Sequence, residues 1–301
     1  MIDFKEIQLE DITWMKPLIK EANMAGCHQN FGNIFAWSKV NDKCVARMND
    51  YLIVKVNADS KKSIYFYPAG VGEIKPIIDA MKQDALENGQ VLRFDGLSPE
   101  NMEVLNNLYP NQFKYKRVRD NFDYVYLIEK MVSLAGKKLS GKRNHINKFI
   151  RSNEWHFEEM TPDNLNDCWE MNKQWSIENG ADDNGSLAEE ACAVKRLLKN
   201  FSQLELEGGL IRVGGDVVAY TIGERLNSDT YVIHVEKAFA HIQGAYPMIN
   251  REFIAVINER YPDLMYVNRE EDIGDLGLRK AKKSYYPEKM EEKYMGKYIG
   301  D

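Results

Sequence analysis

Long hydrophobic runs and paired cysteines are both absent from the sequence, and each absence excludes a class of protein. No stretch approaches the ~18 consecutive apolar residues of a membrane span. The opening MIDFKEIQLED carries acids where a signal peptide has bases followed by an apolar run. The four cysteines form no CxxC pair and the five histidines show no metal-ligand spacing, so no disulfide framework or zinc site is predicted. We expect a cytoplasmic protein without a transmembrane segment and without a bound metal.

Charge is distributed unevenly along the 301 residues. The net charge is −6, yet residues 137–151 hold six Lys or Arg and no acid, and residues 279–283 hold four more bases. Without these ten bases, 30 remain against 46 acidic residues. An acidic body with two basic segments indicates either an anionic partner bound at those places or two solvated helix faces.

Hydrophobic periodicity predicts alternating strands and helices in the first half. Strands are predicted at 4–8, 51–57, 63–70 and 91–97, and helices at 11–24, at 72–89 and after the capping pair Ser98-Pro99. Residues 113–120 and 121–129 have the pattern of the two arms of a hairpin.

The second half repeats this order of elements. Its predicted elements are a strand (156–160), two helices (163–175 and 187–201), a three-strand meander (209–238), a helix (245–261), a strand (264–270), a helix (277–286) and a final strand pair (289–299). The opening letters also recur, since Phe4-x-Glu6-Ile7 returns as Phe157-x-Glu159-Met160. We therefore predict a tandem duplication. Its parts are an N-terminal domain (1–130) that serves as scaffold, a basic interdomain helix (131–154) and a C-terminal domain (155–301) that carries the activity.

This order of elements resembles the GNAT acyltransferase fold, an α/β fold with a mixed sheet, here present twice. In that fold the fourth strand separates from the fifth, and the acyl donor enters between them. The turn after the fourth strand holds a pyrophosphate on backbone N–H groups and reads Gln/Arg-x-x-Gly-x-Gly/Ala. The corresponding turn here has His241, Gly244 and Tyr246 at those three places, which departs from the pattern and argues against coenzyme A.

Several motifs resemble one bacterial family more closely. They are LSGKRNHINKF (139–149), EKA (236–238), QGAY (243–246) with Asn250, and NREEDIGDLGLRKAKKSYYP (268–287). The family is related to the C-terminal domain of phosphatidylglycerol lysyltransferases, and the Fem-type aminoacyl-tRNA-dependent transferases share its tandem GNAT architecture. The resemblance implies an aminoacyl-tRNA donor, a lipid-headgroup or small-molecule acceptor, and substrate-binding roles for Asn250 and Asn268.

Two residues of the central strand YVIHVE are candidates for acid–base chemistry. Strand alternation places His234 and Glu236 on one face, where a general base can accept the proton of an amine; the alternative is a buried pair that only joins strands. A GNAT transfer also needs a general acid for the leaving group, and Tyr285 is the available phenol, although tyrosine also serves as packing. We take Glu236, His234 and Tyr285 as the catalytic candidates.

Two further sets of residues are candidates for binding substrate. Glu271 and Asp272 precede a basic helix, where they either cap it within an ion network or bind the amine of a substrate. Arg279, Lys282, Lys283 and Tyr286 share a helix face by spacing, and Arg279 and Lys282 join Lys142 and Arg143 as predicted phosphate ligands.

The sequence thus predicts an acyltransferase or aminoacyltransferase that acts by direct attack on its donor. It binds no cofactor tightly, and its donor substrate is aminoacyl-tRNA or, alternatively, acyl-coenzyme A. The competing class is a non-catalytic module that binds a nucleotide or RNA.

Overall fold

The computed structural model describes residues 2–58, 60, 62–180 and 185–300. The strands are β1 (Lys5–Glu6), β2 (Cys44–Met48), β3 (Tyr51–Val56), β4 (Ile64–Phe66), β5 (Ala69–Gly70), β6 (Arg93–Leu97), β7 (Phe113–Arg117), β8 (Asp123–Leu127), β9 (Trp155–Glu159), β10 (Glu207–Val213), β11 (Asp216–Arg225), β12 (Thr230–Ala238), β13 (Tyr266–Asn268), β14 (Lys289–Glu291) and β15 (Tyr294–Tyr298). The helices are α1 (Ile12–Ala22), α2 (Phe31–Ala36), α3 (Lys75–Glu87), α4 (Pro99–Leu108), α5 (Ile128–Ser133), α6 (Ser140–Ser152), α7 (Leu165–Glu178), α8 (Gly185–Lys199), α9 (Ala245–Arg260) and α10 (Leu276–Lys283).

The chain forms two compact units, each assembled from segments that are distant in the sequence. Unit 1 contains Met1–Tyr124, Glu271–Arg279 and Met290–Asp301, and unit 2 contains Val125–Glu270 and Lys280–Lys289. The linear bounds 1–130, 131–154 and 155–301 stay a prediction.

The sheet of unit 1 has the strand order β1-β2-β3-β4-β6-β15-β7, with β5 also paired to β3. Strands β4 and β6 run parallel, and β15 lies between β6 and β7, antiparallel to both. Helix α3 and the inner face of this sheet share a core that includes Tyr65, Ile77 and Phe94. Helix α4 begins as expected from its sequence, because the Ser98 side chain accepts from Asn101 N.

The second sheet has the corresponding order β9-β10-β11-β12-β13-β8-β14. Strands β9 to β12 are antiparallel neighbours, β12 and β13 are parallel, and β8 is antiparallel to β13. Helix α9 packs on β10, β11 and β12, and helix α6 packs on α9. The predicted repeat of one mixed α/β fold is confirmed.

Two of the predicted pairings are wrong. Strands β7 and β8 belong to different sheets and form no hairpin, and β14 and β15 likewise belong to different sheets rather than to one strand pair. The physical reason is burial. Residues 123–126 are buried on both faces of the strand, so β8 lies inside its sheet between two partners. In β7 most side chains are exposed to solvent, and this strand lies at the edge of its sheet.

Helix α10 is shorter than its sequence pattern indicates. It ends at Lys283, and Tyr286 lies beyond it with a positive φ of 55°. Lys282 is buried, whereas Lys283 and Tyr286 are exposed, so the predicted common face is not formed. Among the helices of the described residues, none is long and apolar enough to cross a bilayer.

Candidate active site

The site in unit 2 begins where β12 and β13 stop pairing. The two strands are in register only from Thr230↔Tyr266 to Val232↔Asn268, and β12 continues to Ala238. Beyond the last pair, side chains of β12 meet the residues that follow β13. These residues form the candidate site.

A β-bulge in β12 changes which way its side chains point. Ile222 pairs with Val235 and Gly223 with Ile233, so His234 is the additional residue. Tyr231 packs against Phe253 of α9 and Glu236 bonds to Asn250 of the same helix, although their spacing of five would place them on opposite faces of a regular strand. The prediction that His234 and Glu236 share a face by simple alternation is therefore wrong.

Glu236 is the centre of a group of five side chains, which we call the Glu236 cluster: Lys142, Glu236, Asn250, Arg269 and Tyr285. Arg269 Nη2 donates to Glu236 Oε1 at 2.7 Å, and Asn250 Nδ2 donates to Oε2 at 2.7 Å. The side chains of Glu236 and Arg269 are only 10% and 11% exposed. A buried carboxylate thus has one donor on each oxygen, which holds both donors in place.

Tyr285 and Lys142 complete the Glu236 cluster. The Arg269 guanidinium lies 4.9 Å from the centre of the Tyr285 ring, and Lys142 Nζ lies 3.9 Å from it. Burial lowers the pKa of Lys142 to about 8; the charge of Arg269 acts in the same direction and that of Glu236 opposes it. Burial also raises the pKa of Tyr285, with Arg269 acting against it. Lys142 therefore has a free-amine fraction near neutral pH, whereas the phenol keeps its proton.

Two polar atoms of the Glu236 cluster are buried without a hydrogen-bond partner among the described residues. They are Arg269 Nη1, a donor, and Asn250 Oδ1, an acceptor. A buried unpaired polar group costs about 1–3 kcal/mol, so native structures keep few of them. Both belong to side chains already fixed by Glu236, and together they offer one donor and one acceptor to a ligand.

His234 lies between two carboxylates. Its Nδ1 is 2.8 Å from Glu270 Oε1 and its Nε2 is 3.1 Å from Glu224 Oε1, with the ring 4% exposed. Burial lowers the pKa of His234, but the hydrogen bonds with Glu224 and Glu270 outweigh it and raise the pKa to about 10. The imidazole is therefore protonated at neutral pH, which suits an ion pair between strands and not a general base.

The turn before α9 is covered by α6. Gly244 has φ +92°, and a Cβ built there would lie 2.5 Å from the His145 carbonyl oxygen of α6. Tyr246 accepts a hydrogen bond from Trp175 Nε1 at 3.1 Å. A carbonyl oxygen and a packed tyrosine thus occupy the surroundings of the turn that holds a pyrophosphate in the GNAT pattern.

The predicted phosphate ligands are not equivalent in the structure. Lys142 belongs to the Glu236 cluster, but Lys282 is buried and its ammonium donates to the Arg269 carbonyl at 2.6 Å, which contradicts a phosphate-facing role. Arg143 Nη1 donates to the carbonyls of Leu134 and Gly136. Exposed bases of the first basic segment are Lys137, Lys138, Lys148 and Arg151.

Arg279 and Asp272 lie in an ion network of unit 1. Arg279 donates to both oxygens of Asp272 at 2.9 and 2.6 Å and to Asp120, and Tyr124 Oη donates to Asp272 at 2.6 Å. Burial raises the pKa of Asp272, but these bonds hold it well below its usual value. Since Asp272 is fully buried, the geometry favours the structural alternative for this pair.

The remaining candidates are Asn268 and Glu271. Asn268 is buried, and its side chain accepts from Glu270 N at 2.8 Å, which shapes the turn after β13. Glu271 belongs to a separate cluster in unit 1 with Cys27, Asp123 and Lys293. Sequence reasoning missed Arg269 as a site residue; its signal is a base placed directly after the apolar strand LMYVN.

Unit 2 has the architecture of the GNAT fold: a meander and a parallel strand pair that separates, here with a polar cluster at the separation. A tandem GNAT protein from the clavulanic acid biosynthesis pathway has the same architecture, with 8% identity, full coverage of both chains and a TM-score of 0.51. Residues 20–297 match the family described as phosphatidylglycerol lysyltransferase, C-terminal, and the chain belongs to that family. The resemblance predicted from the motifs is confirmed.

Two further solved structures are similar. A conserved protein of unknown function from Bacteroides thetaiotaomicron is 35% identical, with 99% of this chain and 100% of that chain covered and a TM-score of 0.94. L-PGS from Bacillus licheniformis is 13% identical, with 90% and 93% covered and a TM-score of 0.63.

Proposed function

We propose that unit 2 transfers an aminoacyl group from aminoacyl-tRNA to an amine or hydroxyl acceptor. The observation that carries this is a pair of atoms beside the buried Glu236, Arg269 Nη1 and Asn250 Oδ1, that have no hydrogen-bond partner in the described part of the chain. In acyl transfer, the carbonyl oxygen of the donor ester becomes negative as the acceptor attacks. A fixed donor such as Arg269 Nη1 stabilises that charge, while Asn250 Oδ1 accepts from an ammonium or hydroxyl of a substrate.

The turn before α9 supports a tRNA donor over coenzyme A. Helix α6 lies against this turn at Gly244, and the Ala245 N–H already donates to the Ile242 carbonyl, so the turn is poorly suited to hold a pyrophosphate. The ester end of an aminoacyl-tRNA needs no pyrophosphate cradle, and its phosphates can be held by bases outside the cluster. The exposed bases of residues 137–151 are suited to that contact.

Two groups of the Glu236 cluster are candidates for the base that accepts the acceptor's proton. Glu236 is the first, and Lys142 as a free amine is the second. If Lys142 is the base, the transfer rate rises as the pH passes about 8, the pKa of its ammonium. In Lys142→Arg this rise should be absent. If Glu236 is the base, Lys142→Arg keeps the pH profile of the wild type.

Binding of tRNA and transfer are tested separately. Filter binding of aminoacyl-tRNA should weaken steeply with salt, and Lys148→Glu with Arg151→Glu should weaken it further. The matched control is Lys114→Glu with Lys116→Glu at two exposed positions of β7. It changes the net charge by the same amount, and we expect no loss of affinity.

Transfer is followed with labelled aminoacyl-tRNA and either phosphatidylglycerol vesicles or small amines as acceptors. Glu236→Gln should bind tRNA normally and transfer poorly. Wild-type protein that binds tRNA without transfer to any acceptor would favour the non-catalytic module. Tight coenzyme A binding that is unaffected by the charge reversals would favour an acyl-coenzyme A donor.

A further inference from the structure

Unit 1 contains a second buried polar group, the Cys27 cluster, formed by Cys27, Asp123, Glu271 and Lys293. Lys293 Nζ lies 2.5 Å from Asp123 Oδ1, 3.2 Å from Cys27 Sγ and 3.3 Å from Glu271 Oε2. The thiol itself is 3.2 Å from both Asp123 Oδ1 and Glu271 Oε2. A thiol, an amine and two carboxylates are thus in mutual contact at the start of the C-terminal strand.

A metal ion is not the best occupant of this cluster. Ligand atoms of Cys27, Asp123 and Glu271 lie within 4.8 Å of one another, a spacing suited to a cation. The ammonium of Lys293 touches all three and supplies the positive charge that a metal would bring. Its side chain is only 6% exposed, and moving it away would take the ammonium from beside the buried Asp123 carboxylate.

We propose that Cys27 and Lys293 are a redox-sensitive modification site, at which oxidation joins the cysteine sulfur to the lysine nitrogen through one oxygen atom. Three features support this. The two atoms are already in contact, both side chains are held by Asp123, and an inserted oxygen spans their separation with less movement than a direct bond would require. Glu271, 29% exposed, is the member through which a small oxidant reaches the thiol.

The chemistry balances with dioxygen as the oxidant. The lysine ammonium first loses a proton to solvent base through the partly exposed Glu271 carboxylate and reacts as the free amine. The S–H bond and one N–H bond break, and S–O and O–N bonds form with one atom of dioxygen. The other oxygen atom leaves as water with the two hydrogens, so dioxygen takes up four electrons from sulfur and nitrogen. An excess of a dithiol returns the four electrons and restores thiol and amine.

The crosslink would connect two distant parts of unit 1. Cys27 lies in the short turn that precedes α2, and Lys293 directly precedes β15, which pairs with both β6 and β7. A covalent link across 266 positions restricts the unfolded chain strongly. Oxidised protein should therefore melt at a higher temperature than reduced protein.

Peptide mapping of the full chain is the direct test. After incubation in air-saturated buffer, mass spectrometry should find the Cys27 and Lys293 peptides joined, with a gain of one oxygen and a loss of two hydrogens. Dithiothreitol should separate them and lower the melting temperature again. Burial lowers the pKa of Lys293, but Asp123, Cys27 and Glu271 raise it well above its usual value. The link should therefore form faster at pH 9 than at pH 7.

The variants Cys27→Ser and Lys293→Arg should show no joined peptides, and Arg keeps the charge beside Asp123. Cys168→Ser is the matched control, since Cys168 is also buried but the charges that act on its thiol are those of Arg212, Asp167 and Glu158 and not that of a lysine. It should crosslink like wild type. Oxidation of Cys27 to sulfenic or sulfinic acid without a link to Lys293, or an unmodified Cys27, would overturn the proposal. Neither result bears on transfer in unit 2.

Discussion

At the scale of single residues, the site depends on how buried charges are paired. Glu236 has one hydrogen-bond donor on each oxygen. Arg269 Nη2 donates to Glu236, whereas Arg269 Nη1 has no partner among the residues that the structure describes. Under the proposed function, the same arginine stabilises the fold and offers a donor to substrate. Stability and activity are coupled at this residue, and substitutions there should change both.

Replacing Arg269 by Met tests this coupling. The change leaves Glu236 buried without its cation, and we expect a loss of about 3–5 kcal/mol in the free energy of unfolding, measured with urea. Transfer should fall by roughly 100-fold or more, since a fixed donor to the developing oxyanion is lost. Arg260→Met is the matched control, because its pairs with Glu159 and Glu207 are more exposed and such pairs contribute about 1 kcal/mol or less. Equal effects of the two changes would contradict the assignment.

His234 should make stability depend on pH. Its pKa is about 10 in the folded protein and roughly 6.5 when unfolded, so folding favours the protonated form. The stabilisation is fully present below about pH 6.5 and is lost as the pH rises toward 10. The free energy of unfolding of the wild type, measured with urea, should therefore decrease over this range relative to that of His234→Gln. The decrease is at most about 1.4 kcal/mol per pH unit.

The exposed His156 provides the control for that measurement. His156→Gln should follow wild type from pH 6.5 to 9.5, because its side chain is 58% exposed. Parallel stability curves for wild type and His234→Gln would show that the imidazole is not held as a cation by Glu224 and Glu270.

At the scale of elements, helix α6 and the turn before α9 require a glycine between them. Gly244 has a positive φ, and its missing side chain also leaves room for the α6 backbone at His145. Gly244→Ala should therefore cost both backbone strain and displacement of α6, together more than about 2 kcal/mol. Gly136→Ala is matched in conformation, with φ +87° and open space, and should cost only about 1 kcal/mol. Urea unfolding gives both values, and equal costs would argue against a tight contact.

At the scale of the whole molecule, the sheet of unit 1 depends on the C-terminal strand. Strand β15 separates β6 from β7, so residues 1–130 expressed alone would have an unpaired edge on each of these strands. We expect this fragment to show little hydrogen-exchange protection in β6 and β7. Adding a peptide of residues 287–301 should restore protection, whereas a peptide with Gly296→Pro should not, because proline cannot donate to either neighbour. A fully protected fragment without peptide would instead support the linear domain bounds.

Local patterns in the sequence were sufficient for the class of the protein. Hydrophobic periodicity, Ser98-Pro99 and the repeated order of elements identify most strands and helices, since these depend on neighbours a few residues apart. The short elements α2 and β2 were not predicted. The motifs around Glu236, Gly244 and 268–287 determine the family. Lys142, Glu236, Asn250 and Tyr285, which the sequence indicated separately, lie in one cluster, and their roles stay a prediction.

Only the tertiary structure decided which strands pair and which charges meet. Periodicity marks β7, β8, β14 and β15 as strands but does not identify their partners, because pairing depends on burial across distant segments. The bulge at His234 also put Glu236 on the face opposite to the predicted one, because one extra residue reverses the direction of every later side chain in the strand. The roles of Arg269, Lys282 and Lys293 follow from partners up to 266 positions away, and no local pattern records such contacts.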